Sequence, residues 1–144
     1  MSDTAIDKPA EAGANPLPPM GSFVWQELVT PDPGRASAFF GALLGWTFRE
    51  VDMGENGMYT IATNEGRDLA GMMKMEGPAW DGIPPHWMAY IVVPDVDASA
   101  AKVEELGGKV CVPPFDIPTV GRICVINDPT GATVSLLTFA MPGA

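Results

Sequence analysis

The chain is poor in residue types that many functional sites need. Its 144 residues include one histidine, two cysteines and eight lysines and arginines, against eighteen aspartates and glutamates. The formal net charge of -10 gives a surface that repels phosphate, so we expect neither nucleic acid nor an anionic membrane surface as a partner. No apolar run approaches the ~20 residues that a membrane-spanning helix requires, so we predict no membrane partner.

Common motifs for nucleotide binding and covalent catalysis are missing as well. The chain has no GxGxxG loop, no phosphate-binding GxxxxGK loop and no GxSxG nucleophile elbow. A Ser-His-acid triad would have to use His86, since no other histidine exists. The two cysteines, Cys111 and Cys124, are predicted to be small buried residues in a reducing cytoplasm. A disulfide or a reactive thiol is the alternative, although no CxxC pair supports it.

Length and composition instead indicate one folded domain. A chain near 150 residues buries about 70% of the surface that its unfolded form exposes, and 47% hydrophobic residues supply a core. Residues 1–20 are acidic, rich in Pro and Ala, and lack the charged-then-apolar pattern of a secretory signal. We expect them to form a flexible arm that can order against a partner subunit. The remaining residues, 21–144, are predicted to form a single cytoplasmic domain.

An internal repeat runs through that domain. The segments "WQELVTPD" and "MAYIVVPD" both end in Pro-Asp and lie 63 residues apart. In the same register, identical residues recur opposite Ala38, Leu43, Gly45 and Asn64. One register without a gap indicates a duplication whose period is long enough for each copy to be a whole supersecondary module. We predict modules at about residues 21–76 and 86–140, with a linker at residues 77–85.

Each module is predicted to begin with a strand and a helix. The opening strands, "FVWQELVT" and "HWMAYIVV", are rich in aromatic and β-branched residues. Asp32 and Asp95 then stand where a side chain caps a helix, and Pro33 suits the first helical position. Glycines, at Gly45 and at Gly107–Gly108, are predicted to end the helices. The stripes expected to face the core are Ala36, Phe39, Phe40, Leu43 and Leu44, and then Ala100, Val103 and Leu106.

Three short strands complete each module. They are "TFREVDM", "MYTIAT" and "LAGMMKM" in the first, and "KVCVPP", "RICVIN" and "TVSLLTF" in the second. Turns at "NEGRD" and "DPTG" join the last two strands of each set. The predicted fold class is therefore α+β: two tandem βαβββ modules with antiparallel or mixed sheets and the helices outside.

Several segments resemble the vicinal oxygen chelate superfamily of glyoxalase, bleomycin-resistance and extradiol-dioxygenase proteins. They are "TPDPGRASAFFGALLGW", "VPDVDASAAKVEELGGKV" and "NDPTGATVSLL". "PPHWMAYIVVPDVD" and "PPFDIPTVGR" further resemble a largely uncharacterised glyoxalase-like branch. The resemblance implies cupped sheets that face each other around a shared pocket. In the enzymes of the family, it also implies a divalent metal held by His, Gln or Glu from the first and fourth strands, although this fold hosts several chemistries.

The positions that the resemblance assigns to metal ligands hold other residue types here. They are Trp25 and Met88 on the first strands, Ser135 on the last strand, and Gly71, Met72 or Met73 on its counterpart. None offers the imidazole or carboxylate that such a metal prefers. We therefore expect no metal at the usual site and no cofactor. His86 lies two residues before Met88 on the same face, toward the rim, and is a ligand-binding candidate; the alternative is a surface or rim residue that hydrogen-bonds locally.

Strand alternation predicts what fills the pocket instead. Trp25 and Glu27 share one face of the first strand, and Met88 and Tyr90 share the matching face of its counterpart. An aromatic wall with one carboxylate and one phenol suits an amphipathic organic ligand. Glu27 is the candidate base, because burial raises the pKa of a carboxyl group; the alternative is that it accepts local hydrogen bonds and only shapes the pocket. Tyr90 either donates to a ligand or to Glu27, or is an ordinary partly buried tyrosine.

Further ligand-binding candidates flank this pocket. Asp116 lies in the Pro-rich segment "PPFDIPTVGR", predicted to be either a loop over the pocket mouth or a surface turn. Arg122 is expected to meet a ligand anion or Asp116 itself. Methionines of the first module either line the pocket or fill the core: Met53, Met58, Met72, Met73 and Met75.

Two main functions follow from these residues, with a third class behind them. The first is a metal-free protein that binds a small apolar or aromatic molecule, as bleomycin-resistance proteins sequester a drug. The second is a glyoxalase-type lyase, isomerase or dioxygenase that uses Glu27 as a base, with Tyr90 or a non-standard metal as the electrophile. A protein-interaction domain is the third. A homodimer is expected in each case, because strand edges at the module seam favour pairing.

Overall fold

The computed structural model describes residues 18–118 and 120–140, without the side chain of Asn56. Nearly all of the predicted N-terminal arm lies outside this part of the chain. Short 3-10 turns cover Gly54–Asn56 and Pro78–Trp80. The strands and helices are β1 (Phe23–Thr30), α1 (Pro33–Leu44), β2 (Thr47–Asp52), β3 (Met58–Asn64), β4 (Arg67–Lys74), β5 (His86–Val92), α2 (Val96–Val103), β6 (Lys109–Ile117), β7 (Gly121–Asn127) and β8 (Thr133–Phe139).

The eight strands form one curved, unclosed sheet in the order β2-β3-β4-β1-β5-β8-β7-β6. Within each module the first strand pairs in parallel with the last, β1 with β4 and β5 with β8. The modules then join edge to edge through the antiparallel pair β1–β5. The predicted α+β fold with two βαβββ modules is confirmed. The expectation of separate sheets needs one correction: the β1–β5 pairing merges them into a single sheet.

The predicted helix starts are confirmed in both modules. Asp32 accepts a hydrogen bond from the Arg35 amide at 3.0 Å, and Asp95 accepts one from the Ala98 amide at 3.1 Å. Each bond satisfies one backbone donor of the first helical turn, which has no partner within the helix. Gly45 ends α1 in the left-handed conformation, with φ of 78°. The second helix ends earlier than predicted, at Val103, and the chain continues through turns toward the glycines.

The two helices cover the outer face of the sheet unequally. Val96 and Val103 of α2 are buried, and Val96 packs in one cluster with Cys124 and Leu136 of the sheet. Leu106, expected in the same stripe, lies beyond the helix and is 71% exposed. Part of the predicted core therefore lies at the surface.

The expected core-facing stripe of α1 is wrong. Phe39 and Leu43 are 59% and 62% exposed, and no residue of α1 is fully buried. The helix instead packs on the sheet through Phe40, which stacks on Trp46 and makes an edge-on contact with Trp87 of β5. Helical spacing identifies residues that share a face, but it does not reveal whether a neighbour covers that face. Within the described part of the chain, no helix has the length and apolar character to cross a membrane.

Candidate functional site

The concave face of the sheet encloses a cavity of about 1230 Å³. Inward side chains of all the strands contribute, because every second residue of a strand points to the same face. The β4–β5 linker adds Trp80, Ile83 and Pro84 to the wall. The largely apolar remainder of the lining includes Val29, Met53, Met58, Ile61, Phe115, Ile117, Val120, Ile123, Val125 and Leu137. The cavity is large enough for an organic molecule of drug size.

One buried carboxylate lies at the centre of this cavity. Glu27 stands at the middle of β1 and is 7% exposed. The Tyr59 hydroxyl donates a hydrogen bond to Glu27 Oε2, and the Tyr90 hydroxyl donates one to Oε1, both at 2.8 Å. The Trp25 indole N–H donates to the Tyr59 oxygen at 3.0 Å. We call these four residues the Glu27 network.

A glycine makes room for this network. Gly71 pairs with Glu27 across β1 and β4. A Cβ atom built on Gly71 would lie 1.6 Å from the Tyr59 hydroxyl oxygen. A side chain at this position and the Tyr59 phenol therefore exclude each other. The phenol occupies the space that a fourth-strand side chain would fill, at one of the positions that the family resemblance assigns to a metal ligand.

The direction of each hydrogen bond in the network is determined by chemistry. An indole N–H can only donate, so the Tyr59 oxygen accepts from Trp25 and its own hydrogen goes to Glu27. A carboxylate can only accept, so Glu27 receives one phenol hydrogen on each oxygen. The network thus holds the Glu27 carboxylate in one orientation.

Burial shifts the pKa of each titratable member of the network. Loss of water raises the pKa of Glu27, while the bonds from Tyr59 and Tyr90 and the charge of His86 offset part of that rise. Burial, and then the charge of Glu27, raise the pKa of both tyrosines far above its ordinary value. Both phenols therefore keep their protons, whereas the carboxyl group is easier to protonate than an exposed one.

Ser135 lies beside the Glu27 network, and we call the network and Ser135 together the polar floor of the cavity. It pairs with Tyr90 across β5 and β8 and is 1% exposed. Its hydroxyl is near enough to lower the pKa of Tyr90 slightly, against the dominant effect of burial. By distance and angle, however, Ser135 Oγ is the one buried side-chain nitrogen or oxygen of the described residues that has no hydrogen-bond partner. The two hydroxyls are thus neighbours without a well-formed bond between them, and Ser135 presents an unpaired polar atom beside Tyr90.

The structure places most of the predicted site residues around one cavity. Glu27 and Tyr90 do bond directly, as one interpretation of the sequence required. His86 lies on the cavity wall, and its Nδ1 is 2.9 Å from the Pro84 carbonyl oxygen. The other predicted residues that line the cavity are Trp25, Met73, Met88 and Ser135.

Three predicted ligand-binding residues do not line this cavity. Met72 points to the opposite face of β4, where its sulfur lies 3.5 Å from the Ser37 hydroxyl of α1. Arg122 contacts two carboxylates on the outer surface, those of Asp97 at 2.7 Å and Asp116 at 3.1 Å. The segment around Asp116 is also not a loop, because β6 continues to Ile117 through two irregularities of pairing.

The prediction for the cysteines is correct for one of the two. Cys124 is fully buried, but Cys111 is exposed and lines the cavity. The shift in pairing between Val110 and Val112 passes over Cys111, so simple alternation does not predict its orientation. Both thiols are free.

Sequence reasoning missed Tyr59, which completes the Glu27 network. One signal for it was present, since a glycine inside a strand often marks a close approach of another group. Gly71 is such a glycine, but the side chain that approaches it comes from the neighbouring strand β3. The linker residues Trp80 and Ile83 were also missed as wall residues, since their segment was predicted only to cross between modules.

The residues present do not fit the divalent metal that the family resemblance implies. The ligand positions hold Trp25, Met88 and Ser135, with Gly71 and Met73 as the inward residues of β4. Both oxygens of the nearby Glu27 carboxylate already accept phenol hydrogens. In residues 18–118 and 120–140, no three His, Cys, Asp or Glu side chains converge as metal ligands would. We assign no chemical step to a metal.

The fold and cavity define a class of proteins: paired βαβββ modules around a central small-molecule cavity. A family model for the Glyoxalase/Bleomycin resistance protein/Dioxygenase superfamily matches residues 21–136. The chain belongs to this superfamily, and the family resemblance noted in the sequence is confirmed.

Curated relatives place the chain beside proteins about twice its length. It is 38% identical over 125 residues to CFP32 of Mycobacterium tuberculosis, provisionally named a glyoxylase, covering 87% of this chain and 47% of CFP32. It is 32% identical over 127 residues to the anthracycline biosynthesis protein DnrV of Streptomyces peucetius, covering 81% of this chain and 46% of DnrV. The chain thus spans about half the length of these relatives.

Solved structures share the fold at low sequence identity. A methylmalonyl-CoA epimerase from Mycobacterium tuberculosis superposes with a TM-score of 0.58 at 16% identity, covering 85% of this chain and 89% of the epimerase. The hypothetical protein BH1468 from Bacillus halodurans gives a TM-score of 0.62 at 11% identity, with 84% and 96% covered. At these identities the likeness extends to the fold alone.

Proposed function

We propose that this chain is a small-molecule-binding domain of the superfamily that works without the usual metal and holds a largely apolar or aromatic ligand. The Glu27 network carries the proposal. It fills, with two phenols and an indole, the place where metal-dependent relatives are expected to hold their ion. Around it, the wall of the cavity is mainly apolar. Apolar walls with a few placed polar groups are typical of sites for organic ligands.

The names of the relatives narrow the proposed ligand class. DnrV is named for anthracycline biosynthesis, which favours a polycyclic aromatic ligand as the working hypothesis. The epimerase is named for a CoA ester. We do not extend that ligand to this chain, because no lysine or arginine is among the described residues that line the cavity. The net charge of -10 also repels a polyanion such as CoA.

Calorimetric titration with 1-naphthalenemethanol, a neutral aromatic probe, tests this function. We expect saturable binding to the wild-type protein. Trp25→Leu should weaken it at least about tenfold, or about 1.4 kcal/mol, because the indole wall and the tyrosine that it orients are lost. The control is Trp46→Leu, since Trp46 stacks on Phe40 and does not line the cavity. Absence of saturable binding, or equal losses in both variants, would count against the proposal.

A second candidate function is proton transfer by Glu27. The observation that favours it is the raised pKa of this buried carboxyl group, which brings it nearer to the range of a general base or acid. Turnover of candidate substrates by wild type and Glu27→Gln separates the two functions. A loss of turnover with retained probe binding would establish the enzyme, whereas unchanged turnover would exclude Glu27 as its base.

The homodimer remains a prediction. Exposed apolar side chains on α1, including Phe39 and Leu43, supply surface that a partner subunit could cover. Light scattering on the purified chain gives the mass directly. A monomer at every concentration tested would contradict the prediction, and Leu43→Lys should shift a dimer toward monomer if α1 lies in the interface.

A further inference from the structure

The polar floor of the cavity has more hydrogen-bond acceptors than donors. The Trp25 N–H and the Tyr59 and Tyr90 hydroxyl hydrogens are all consumed inside the Glu27 network. An ionised carboxylate has about four lone-pair sites, of which these phenols use two. Ser135 adds a hydroxyl without a well-formed partner, which brings two lone pairs and only one hydrogen. A ligand group that meets this floor therefore needs to bring hydrogens to it.

When Glu27 is ionised, the same floor carries a negative charge, and the charge of His86 offsets only part of the cost of burying it. No lysine or arginine is found among the described residues that line the cavity. His86, the one histidine of the chain, lies two residues from Met88 along β5, and its Nδ1 is engaged by the Pro84 carbonyl. No ion pair involves Glu27 in the described part of the chain. A buried carboxylate whose charge is only partly compensated is costly, so a ligand that supplies a cation gains affinity.

Ser135 shows on which side of Glu27 such a group would lie. On the β4 side, Gly71 has no side chain and the Tyr59 phenol fills the space beside Glu27. On the β8 side, the hydroxyl of Ser135 is buried beside Tyr90 and lacks a partner. Tyr90 links the two acceptors, since its hydroxyl donates to Glu27 Oε1 and it pairs with Ser135 across β5 and β8. The Tyr59 phenol of the first module thus fills one side of Glu27, whereas the second module leaves the Ser135 hydroxyl unpaired on the other side.

We propose that the ligand of this cavity carries a protonated amine on its apolar skeleton, and that Glu27 and Ser135 receive the ammonium hydrogens at the floor. An ammonium group is the match to this site, since it has up to three donors, no acceptor and a positive charge. A hydroxyl group would bring one donor and no charge, and a carboxylate would bring only acceptors and repulsion. The proposal rests on the proposed binding function and names the chemical class of its ligand.

Three probes with one ring system test the amine: 1-naphthylmethylamine, 1-naphthalenemethanol and 1-naphthoate. Their affinities are measured by calorimetry at pH 7 in about 0.5 M NaCl, where the Debye length of roughly 4 Å screens the general attraction of an acidic surface. We expect the amine to bind at least about tenfold tighter than the alcohol, and the carboxylate to bind most weakly. If alcohol and amine bind equally, the amine proposal fails while the binding function stands. If none of the three binds, the proposed function itself fails.

Variants then test whether the preference for the amine over the alcohol arises at Glu27 and Ser135. In Glu27→Gln, the affinities for the amine and the alcohol should differ by no more than about twofold. Ser135→Ala should reduce the ratio of these affinities about threefold without removing the preference for the amine. Glu104→Gln, an exposed residue beyond α2, removes the same charge far from the cavity lining and should leave the ratio unchanged. An equal effect of Glu27→Gln and Glu104→Gln would overturn the site assignment. If Glu27→Gln fails to fold, the wild-type ratio and Ser135→Ala decide the outcome.

Discussion

The two modules share a strand order but build different floors from equivalent positions. In the first module Glu27 pairs with Gly71, and in the second Tyr90 pairs with Ser135. The next inward pairs are also equivalent, Ile61 with Gly71 and Val125 with Ser135. Tyr59 lies two residues before Ile61 on β3, and Ile123 lies two residues before Val125 on β7. The two residues therefore occupy equivalent positions. The first module contributes an acid and a phenol over a glycine, and the second contributes a phenol, a serine and an apolar side chain.

This difference explains how a duplicated fold gives a one-sided site. Backbone pairing is repeated, so the positions of the inward side chains are repeated too. The chemistry is not repeated, since one substitution per position changes an acid into a phenol or a glycine into a serine. The polar groups meet where β1 and β5 join, at the centre of the sheet. The module seam thus becomes the candidate site.

Gly71→Ala should have the largest effect on this arrangement. Its new Cβ would stand 1.6 Å from the Tyr59 oxygen and expel the phenol. Overpacking and the lost bonds to Glu27 together should cost about 3 kcal/mol of unfolding free energy, measured by urea denaturation. In a Tyr59→Ala background the same change should cost much less, because the clash is gone. Equal costs in both backgrounds would show that a clash with the Tyr59 phenol does not cause the destabilisation by Gly71→Ala.

Removing the hydroxyl of Tyr59 or of Tyr90 compares how much each module's phenol contributes to stability. Tyr59→Phe and Tyr90→Phe each delete one bond to a charged group, worth about 1.5–3 kcal/mol. Tyr59→Phe should be the more costly, since it also leaves the Trp25 indole N–H without its acceptor. Urea denaturation of both variants gives the order. A larger cost for Tyr90→Phe would contradict the direction of hydrogen bonding described above.

The helices should show a smaller contrast of the same kind. Val103 of α2 is 9% exposed and Leu43 of α1 is 62% exposed. Val103→Ala removes two buried carbons, so we expect a loss of about 1.5 kcal/mol. Leu43→Ala should change the unfolding free energy by less than about 0.5 kcal/mol in the monomer. A large loss for Leu43→Ala at high protein concentration alone would place α1 in an interface between subunits.

The smallest expected effect depends on pH. The pKa of Glu27 is raised in the folded state above its ordinary value of 4.5. Its contribution to stability is therefore greatest below pH 4.5 and is lost as the pH rises through the folded-state pKa. Since the glutamine side chain of the Glu27→Gln variant has no proton to lose, the melting temperature of this variant minus that of wild type should increase over the same pH range. Thermal melts between about pH 4 and pH 8 measure it, and a difference that falls with pH would contradict the raised pKa.

The sequence by itself determined the features that depend on neighbours along the chain. The duplication, the Asp32 and Asp95 caps and the shared face of Trp25 and Glu27 all follow from short-range spacing, and the structure contains each of them. They could be predicted because a strand alternates with period two and a helix begins with unsatisfied amides. These local rules operate before any tertiary contact forms.

Only the tertiary structure decided which distant side chains meet. The Tyr59 phenol reaches Glu27 because strand order and register place Gly71 between them. The same register turns Met72 outward, and a salt bridge to Asp97 holds Arg122 away from the cavity. None of these contacts has a spacing rule, since they join different strands and helices. A shift of one residue in the register would reverse the face of each inward side chain, so the site depends on the pairing of the whole sheet.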